Sequence, residues 1–271
     1  MTYCTILQEL RDEPANEARV RAGSALAARF GAELVGIHVA ALPTVPVGLG
    51  EASAYIDAEI IGAQREANKA IQERVREAFE RSRDPAVPGR TLLIEDVYGT
   101  ALAEAARTAD LTILGPAHAE GESLLNPPPA DEVLVQAGGP VLVLPPGPAS
   151  LPPGRAVIGW NGSRQAARAL KDALPLLAAA REVVVLTLGE DMSGSIEAAA
   201  RMLGRHEVRA HVESRPEQGP TGRQLLAVAG ELGADLLVVG AYSHSRLREA
   251  VFGGTTQEIL AEAKLPVLFG Y

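Results

Sequence analysis

A segment rich in glycine and threonine follows an apolar run in the last third of the chain. Residues 236–239 predict a buried strand, and residues 240–256 come directly after it. The segment ends in Gly-Gly-Thr-Thr at residues 253–256, which predicts the start of a helix. Amide N–H groups at a helix start attract anions, and glycine lets a ligand approach the backbone closely. The spacing therefore predicts a site for a phosphate-like anion.

The chain contains an internal repeat. Residues 109–115 (ADLTILG) match residues 234–240 (ADLLVVG) 125 positions later. A proline-led apolar stretch follows each copy, at residues 140–144 and 266–269. The repeat predicts two domains of the same kind in tandem.

A stiff linker separates the two copies. Residues 145–154 are rich in proline and glycine, which favours a partly extended chain. We therefore expect one domain at residues 1–147 and a second at residues 154–271.

Apolar stretches alternate with helix-length segments in the second domain. They predict five strands, at residues 156–160, 183–188, 208–214, 235–239 and 266–269. The segments between them predict helices at residues 163–180, 195–204, 221–232 and 255–263. Apolar strands between such helices are typical of a parallel sheet covered on both faces. With right-handed crossovers, each domain is expected to be a doubly wound, Rossmann-like α/β unit with a five-stranded parallel sheet.

The first domain has the same pattern with one addition. Residues 52–81 predict a strongly charged helix between its second and third strands, and its charges predict a solvated face.

Composition excludes several classes of protein. With 25 basic and 34 acidic residues, the formal net charge of −9 argues against nucleic acid as a partner. No apolar run is long enough to predict a membrane span, and the first residues lack the pattern of a signal peptide. Cys4 is the one cysteine, which fits a reducing compartment, and we expect it to be buried. These features predict a cytoplasmic protein.

The repeat and the glycine-rich segment together resemble the universal stress protein family, over nearly all of both halves. Nucleotide-binding members have a glycine, two residues, a glycine, nine residues, a glycine and a serine or threonine after the fourth strand. In this chain the four positions are Gly240, Ser243, Gly253 and Gly254, followed by Thr255 and Thr256. Ser243 replaces a glycine and Gly254 replaces a hydroxyl residue. The resemblance implies a stress-response protein that binds or senses an adenine nucleotide such as ATP or AMP, weakly and in the second domain only.

Asn161 has two interpretations. It follows the first strand of the second domain, where binding members of the family place an aspartate near adenine, and a carboxamide can still bond the edge of that base. Alternatively, Asn161 and Gly162 make a turn and Ser163 caps the next helix. The helix start at Thr255 likewise has a purely structural interpretation, a capping box closed by Glu258.

The first domain is predicted to bind no nucleotide. At the repeat spacing, Gly253 and Gly254 correspond to Pro128 and Pro129, and proline has no N–H to donate. Asp131 corresponds to Thr256, so a carboxylate stands where an anion would bind.

Groups for catalysis are scarce in the sequence. The five histidines have no spacing typical of metal ligands, and nucleophile and phosphate-loop motifs are absent. A non-enzymatic binding protein is the leading hypothesis. Two alternatives stay open: a slow ATP hydrolase that uses residues 240–256, and a nucleotide-free scaffold for an unknown protein partner.

The last strands of the two domains are expected to pair. Family members associate through these strands, and here residues 140–144 and 266–269 belong to one chain. Pairing would cover their apolar edges and form an intramolecular pseudo-dimer, and two chains could then form a homodimer.

Overall fold

The computed structural model describes most of the chain. The described residues are 2–42, 53–116, 130–147, 149–189, 194–242 and 254–271, and the side chains of residues 53–59 lie outside this description. The first half of the fold ends with the fifth strand, and the second half begins with the sixth.

Each half contributes five strands within the described residues, in agreement with the sequence. The first half has β1 (Thr5–Glu9), β2 (Glu33–Ala40), β3 (Gly89–Glu95), β4 (Leu111–Leu114) and β5 (Val141–Val143). The second half has β6 (Arg155–Gly159), β7 (Glu182–Leu188), β8 (Ala210–Arg215), β9 (Leu236–Gly240) and β10 (Val267–Gly270).

Helices lie between the strands. Those of the first half are α1 (Asn16–Phe30), α2 (Ser53–Ser82), α3 (Tyr98–Ala106) and α4 (Ala130–Gln136). Those of the second half are α5 (Arg164–Asp172), α6 (Leu174–Leu177), α7 (Ser195–Arg205), α8 (Thr221–Glu231) and α9 (Gly254–Glu262). The single helix predicted at residues 163–180 is thus two helices, because Pro175 has no N–H to continue the ladder of α5. The predicted charged helix is α2, whose described residues are mostly exposed or half-buried.

All ten strands form one sheet, in the order β3-β2-β1-β4-β5-β10-β9-β6-β7-β8. Pairing is parallel within each half. At the centre β5 and β10 pair antiparallel, with Leu142 opposite Leu268. The predicted pairing of the last strands within one chain is confirmed, whereas a homodimer of two chains stays a prediction.

Both faces of the sheet are covered by apolar side chains. Ile6 and Ile158 lie in the core on one face, and Leu7 and Val157 lie in the core on the other. Each core contains residues of both halves, so the hydrophobic layers run through the central strand pair. Burial on both faces explains why inner strands such as β7 and β9 are continuous apolar runs, whereas the edge strands β3 and β8 are partly exposed and contain polar residues.

In each half, an aspartate bonds the backbone N–H groups at the start of the first strand. Asp110 Oδ2 accepts hydrogen bonds from the N–H groups of Cys4 and Thr5, at 2.8 and 2.9 Å. Asp235 accepts from the N–H groups of Gly154 and Arg155, each at 2.9 Å. The aspartates are therefore structural. Cys4, which lies just outside β1, is exposed, so the prediction that it is buried was wrong.

A buried glutamine interrupts the apolar pattern of β1. Gln8 is fully buried, and neither polar atom of its side chain has a partner among the described residues. The register of the two halves places Ile158 at the equivalent position. A buried carboxamide without partners loses its hydration and gains no hydrogen bond in return.

We therefore expect Gln8→Met to raise the free energy of unfolding by about 1–2 kcal/mol. Urea unfolding followed by circular dichroism measures the change. Gln224→Met is the matched control, because Gln224 bonds Gln218 N and Pro216 O, both at 2.7 Å, and its replacement should be destabilising. If Gln8→Met were less stable than the wild type, the Gln8 carboxamide would have hydrogen-bond partners in the folded protein.

Candidate functional site

The topology defines one crevice in each half. β6 pairs with β7 on one side and with β9 on the other, so the order of connection reverses between β6 and β9. Doubly wound proteins bind ligands at such a reversal, outside the carboxyl ends of the strands. We call this place the second-half crevice. The equivalent place between β1 and β4 is the first-half crevice.

Asn161 lies on the β6 side of the second-half crevice, and it is exposed. Its Oδ1 accepts from the N–H of Ser163 at 3.1 Å, and Ser163 Oγ accepts from the N–H of Ala166 at 3.1 Å. The predicted turn and helix cap are therefore confirmed. The carboxamide nitrogen of Asn161 donates no hydrogen bond within the described part of the chain.

Gly240 lies at the end of β9, where α5 crosses very close to the strand. A Cβ added at Gly240 would stand 2.5 Å from the backbone nitrogen of Ala166 and 2.6 Å from the carbonyl carbon of Gln165. Helix packing alone therefore requires glycine at this position, whether or not a ligand binds.

The start of α9 faces the end of β9. Gly254 is exposed, Thr255 is half-buried and Thr256 is buried. Thr256 Oγ1 accepts from the N–H of Tyr242 at 3.3 Å, so this hydroxyl is occupied by the protein. Ser243 and Gly253, the other predicted site residues, lie outside the described residues.

Glu258 has a different role from the predicted one. Its Oε2 accepts from the N–H groups of Gly222 and Arg223, at 2.8 and 3.3 Å, in the first turn of α8. Because α9 already begins at Gly254, Thr255 is a helical residue and does not cap it. The predicted capping box was wrong, and Glu258 instead joins α9 to the start of α8.

Asp131 links the two halves beside the second-half crevice. Its Oδ2 accepts from Gln257 Nε2 at 2.7 Å, and its Oδ1 accepts from the hydroxyl of Tyr242. The carboxylate predicted at a helix start of the first half thus bonds residues of the second half. Pro128 and Pro129, the other residues behind the prediction for the first half, lie outside the described residues.

Buried charges occupy the first-half crevice. Glu9, the last residue of β1, is 2 % exposed, and its Oε1 lies 2.8 Å from Arg11 Nε and also bonds the hydroxyl of Tyr98. Its Oε2 accepts from the N–H of Gly115, which follows β4, at 2.7 Å. Burial disfavours the Glu9 charge, but the Arg11 and Arg19 guanidinium groups, together with the hydrogen bonds from Tyr98 and Gly115, outweigh it and hold the pKa of Glu9 below its usual value. Glu9 is therefore an ionised carboxylate that bridges the two strands.

A second ion pair continues this cluster. Arg19 Nη2 lies 2.7 Å from Glu13 Oε1, and both side chains are buried. A Cβ added at Gly115 would stand 2.6 Å from Arg19 Nη1, so this guanidinium fills the space above Gly115. None of these charged residues was predicted from the sequence to belong to a site. The signal was available: Glu9 and Arg11 come at the end of an apolar strand, and Arg19 lies in an alanine-rich helix.

Within the described residues there is neither a candidate metal site nor a candidate membrane-spanning helix. No group of three or more histidine, cysteine or acidic side chains is placed to hold a metal ion within the described ranges. None of the helices in those ranges is long and apolar enough to cross a membrane.

The fold and its two crevices define a doubly wound α/β protein whose two Rossmann-like units share one sheet. The model of the universal stress protein family matches residues 195–269, which include the glycine-rich segment. The resemblance predicted from the motif is therefore confirmed.

Solved structures match over nearly the whole length of the chain. A universal stress protein from Archaeoglobus fulgidus is 14 % identical, with a TM-score of 0.73 over 98 % of this chain and 95 % of that one. A protein of unknown function from Pseudomonas aeruginosa is 18 % identical, with a TM-score of 0.56 over 98 % of this chain and 92 % of that one. At these identities the two structures establish the fold alone. A comparison with curated proteins finds no match.

Proposed function

We propose that this chain is a non-enzymatic stress-response protein of two domains, residues 1–147 and 154–271. The second domain binds one adenine nucleotide, such as ATP or AMP, weakly in the second-half crevice, and the first domain binds none. The observation that supports the proposal best is the exposed start of α9 at Gly254, beside the reversal of strand order between β6 and β9.

In this proposal the backbone holds the phosphates. The N–H groups of the first turn of α9 have no partners within their own helix, and the helix dipole favours negative charge there. The carboxamide of Asn161, on the other side of the crevice, bonds the adenine edge. Ser243 and Gly253 complete the proposed site.

Weak affinity follows from the missing hydroxyls. Gly254 replaces one hydroxyl residue of the family motif, and the Thr256 hydroxyl is occupied by Tyr242. A hydrogen bond to a charged phosphate contributes about 1.5–3 kcal/mol, so each loss lowers affinity on the order of tenfold to a hundredfold.

Gly254→Pro tests the proposal. Proline fits the first position of a helix but has no N–H, so the variant removes one phosphate donor and keeps the helix. We expect titration calorimetry to give a wild-type Kd for ATP below about 1 mM, and a Kd for the variant at least about tenfold higher.

Gly254→Ala is the matched control. It keeps the N–H, and the nearest atom to the added Cβ is Glu258 Oε1 at 3.8 Å, so affinity should be unchanged. A folded wild-type protein that gives no heat with ATP, ADP or AMP would contradict the proposal and favour the nucleotide-free scaffold. Release of inorganic phosphate from ATP in the same samples tests the alternative that the chain is a slow ATP hydrolase.

A further inference from the structure

The first-half crevice contains the elements of an anion site. The Arg11 guanidinium forms an ion pair with one oxygen of the Glu9 carboxylate, with 2.8 Å between Nε and Oε1 but without hydrogen-bond geometry at Nε. The backbone N–H of Gly115 donates a hydrogen bond to the other oxygen, Oε2, at 2.7 Å. Guanidinium and backbone N–H groups are the donors that proteins use to bind oxyanions. Here the anion is the side chain of Glu9, the last residue of β1, two residues before Arg11.

The register of the two halves shows where these residues stand. Gln8 pairs with Ile113 and Ile158 pairs with Val238, so Glu9 occupies the position of Gly159 and Arg11 that of Asn161. Gly115 likewise occupies the position of Gly240. The second half thus has no side chain where Glu9 projects, and it has a neutral carboxamide where Arg11 stands.

The helix after the first strand also begins later in the first half than in the second. α1 begins at Asn16, seven residues after β1, whereas α5 begins at Arg164, five residues after β6. In the second half the backbone of α5 covers Gly240, whereas in the first half the guanidinium of Arg19 covers Gly115. The longer connection leaves space at the strand ends, and charged side chains fill it.

We infer that the Glu9 carboxylate is an internal anion that takes the place of a ligand in the first-half crevice. Arg11 and the Gly115 N–H form a latent site for a small oxyanion, and Glu9 keeps it filled. This site lies within the described residues of the first half. Its test involves no nucleotide, so the result is independent of the proposed function.

Chemical rescue of Glu9→Ala tests the inference. The variant removes the carboxylate and its methylene group and leaves space for acetate beside Arg11. We expect about 0.1 M sodium acetate to raise the Tm of this variant by at least about 3 °C relative to sodium chloride at the same ionic strength and pH 7. The wild-type Tm should be the same in the two salts.

Two control variants separate site binding from general salt effects. Glu9→Gln removes the charge but keeps the volume, so acetate has no space and should give no specific rise. Glu9→Ala/Arg11→Met keeps the space but removes the guanidinium, and the rise should disappear. An equal Tm in acetate and chloride for Glu9→Ala, or a rise that persists in the double variant, would overturn the inference.

If Glu9→Ala is unfolded in chloride, a refolding experiment tests the inference instead. Dilution from urea into acetate should then recover the native circular dichroism spectrum, whereas dilution into chloride should not. A chain that stays unfolded in both salts would contradict the inference, because acetate is expected to restore the missing anion.

Discussion

Glu9→Gln is expected to lower the free energy of unfolding by about 3–5 kcal/mol at pH 7, because it breaks the buried ion pair between Glu9 and Arg11. The loss is a large fraction of the 5–15 kcal/mol that is typical of a folded protein. Urea unfolding at fixed ionic strength measures it. Glu17→Gln, at an exposed ion pair with Arg81, is the control and should change stability little.

The effect of Glu9 should depend on pH. Its pKa is lower in the folded chain than the ordinary value of 4.5, so the folded state favours the ionised form. This stabilisation is fully present above the unfolded pKa and is lost as the pH falls through the folded pKa. The difference in stability between wild type and Glu9→Gln should therefore be constant from about pH 6 to 8 and should shrink below about pH 4.5. A difference that grows on acidification would contradict the assignment of Glu9 as an ionised partner of Arg11.

Gly240→Ala is expected to lower the free energy of unfolding by about 3 kcal/mol, because the new Cβ would overlap the backbone of α5. Backbone atoms cannot turn away as a flexible side chain can, so α5 must move as a whole. Thermal and urea unfolding measure the loss, with no ligand added.

Gly230→Ala is the matched control in α8. Nothing lies within 4 Å of its added Cβ, and alanine is the better helix former, so this variant should gain about 0.5–1 kcal/mol. If Gly240→Ala kept wild-type stability, the close approach of α5 would be wrong, and the glycine would then be explained by ligand contact alone.

The sequence predicted the sheet well because its inner strands are buried on both faces. Continuous apolar runs such as residues 236–239 stand out between helix-length segments, and the repeat supports each assignment twice. The pairing of β5 with β10 was predictable because two apolar edge strands belong to one chain. The break between α5 and α6 was missed because Pro175 lies inside a run of alanine and leucine.

The crevices were harder to predict, because their residues act through partners distant in sequence. Glu9 depends on Gly115, and Asp131 depends on Tyr242 and Gln257; no local pattern reveals such pairs. Glu258 fits a capping box by spacing, yet it bonds the start of another helix. Gly240 was chosen as a ligand contact, and the structure gives it a packing role that spacing alone does not show.

We propose that the two related halves differ in function: one crevice binds a nucleotide, and the other is filled by its own charges. Native mass spectrometry of the full chain with ATP tests this claim most directly. We expect one nucleotide per chain in the wild type and in Arg11→Met, and almost none in Gly254→Pro at the same concentration. Two nucleotides per wild-type chain, or one that survives in Gly254→Pro and is lost in Arg11→Met, would contradict it.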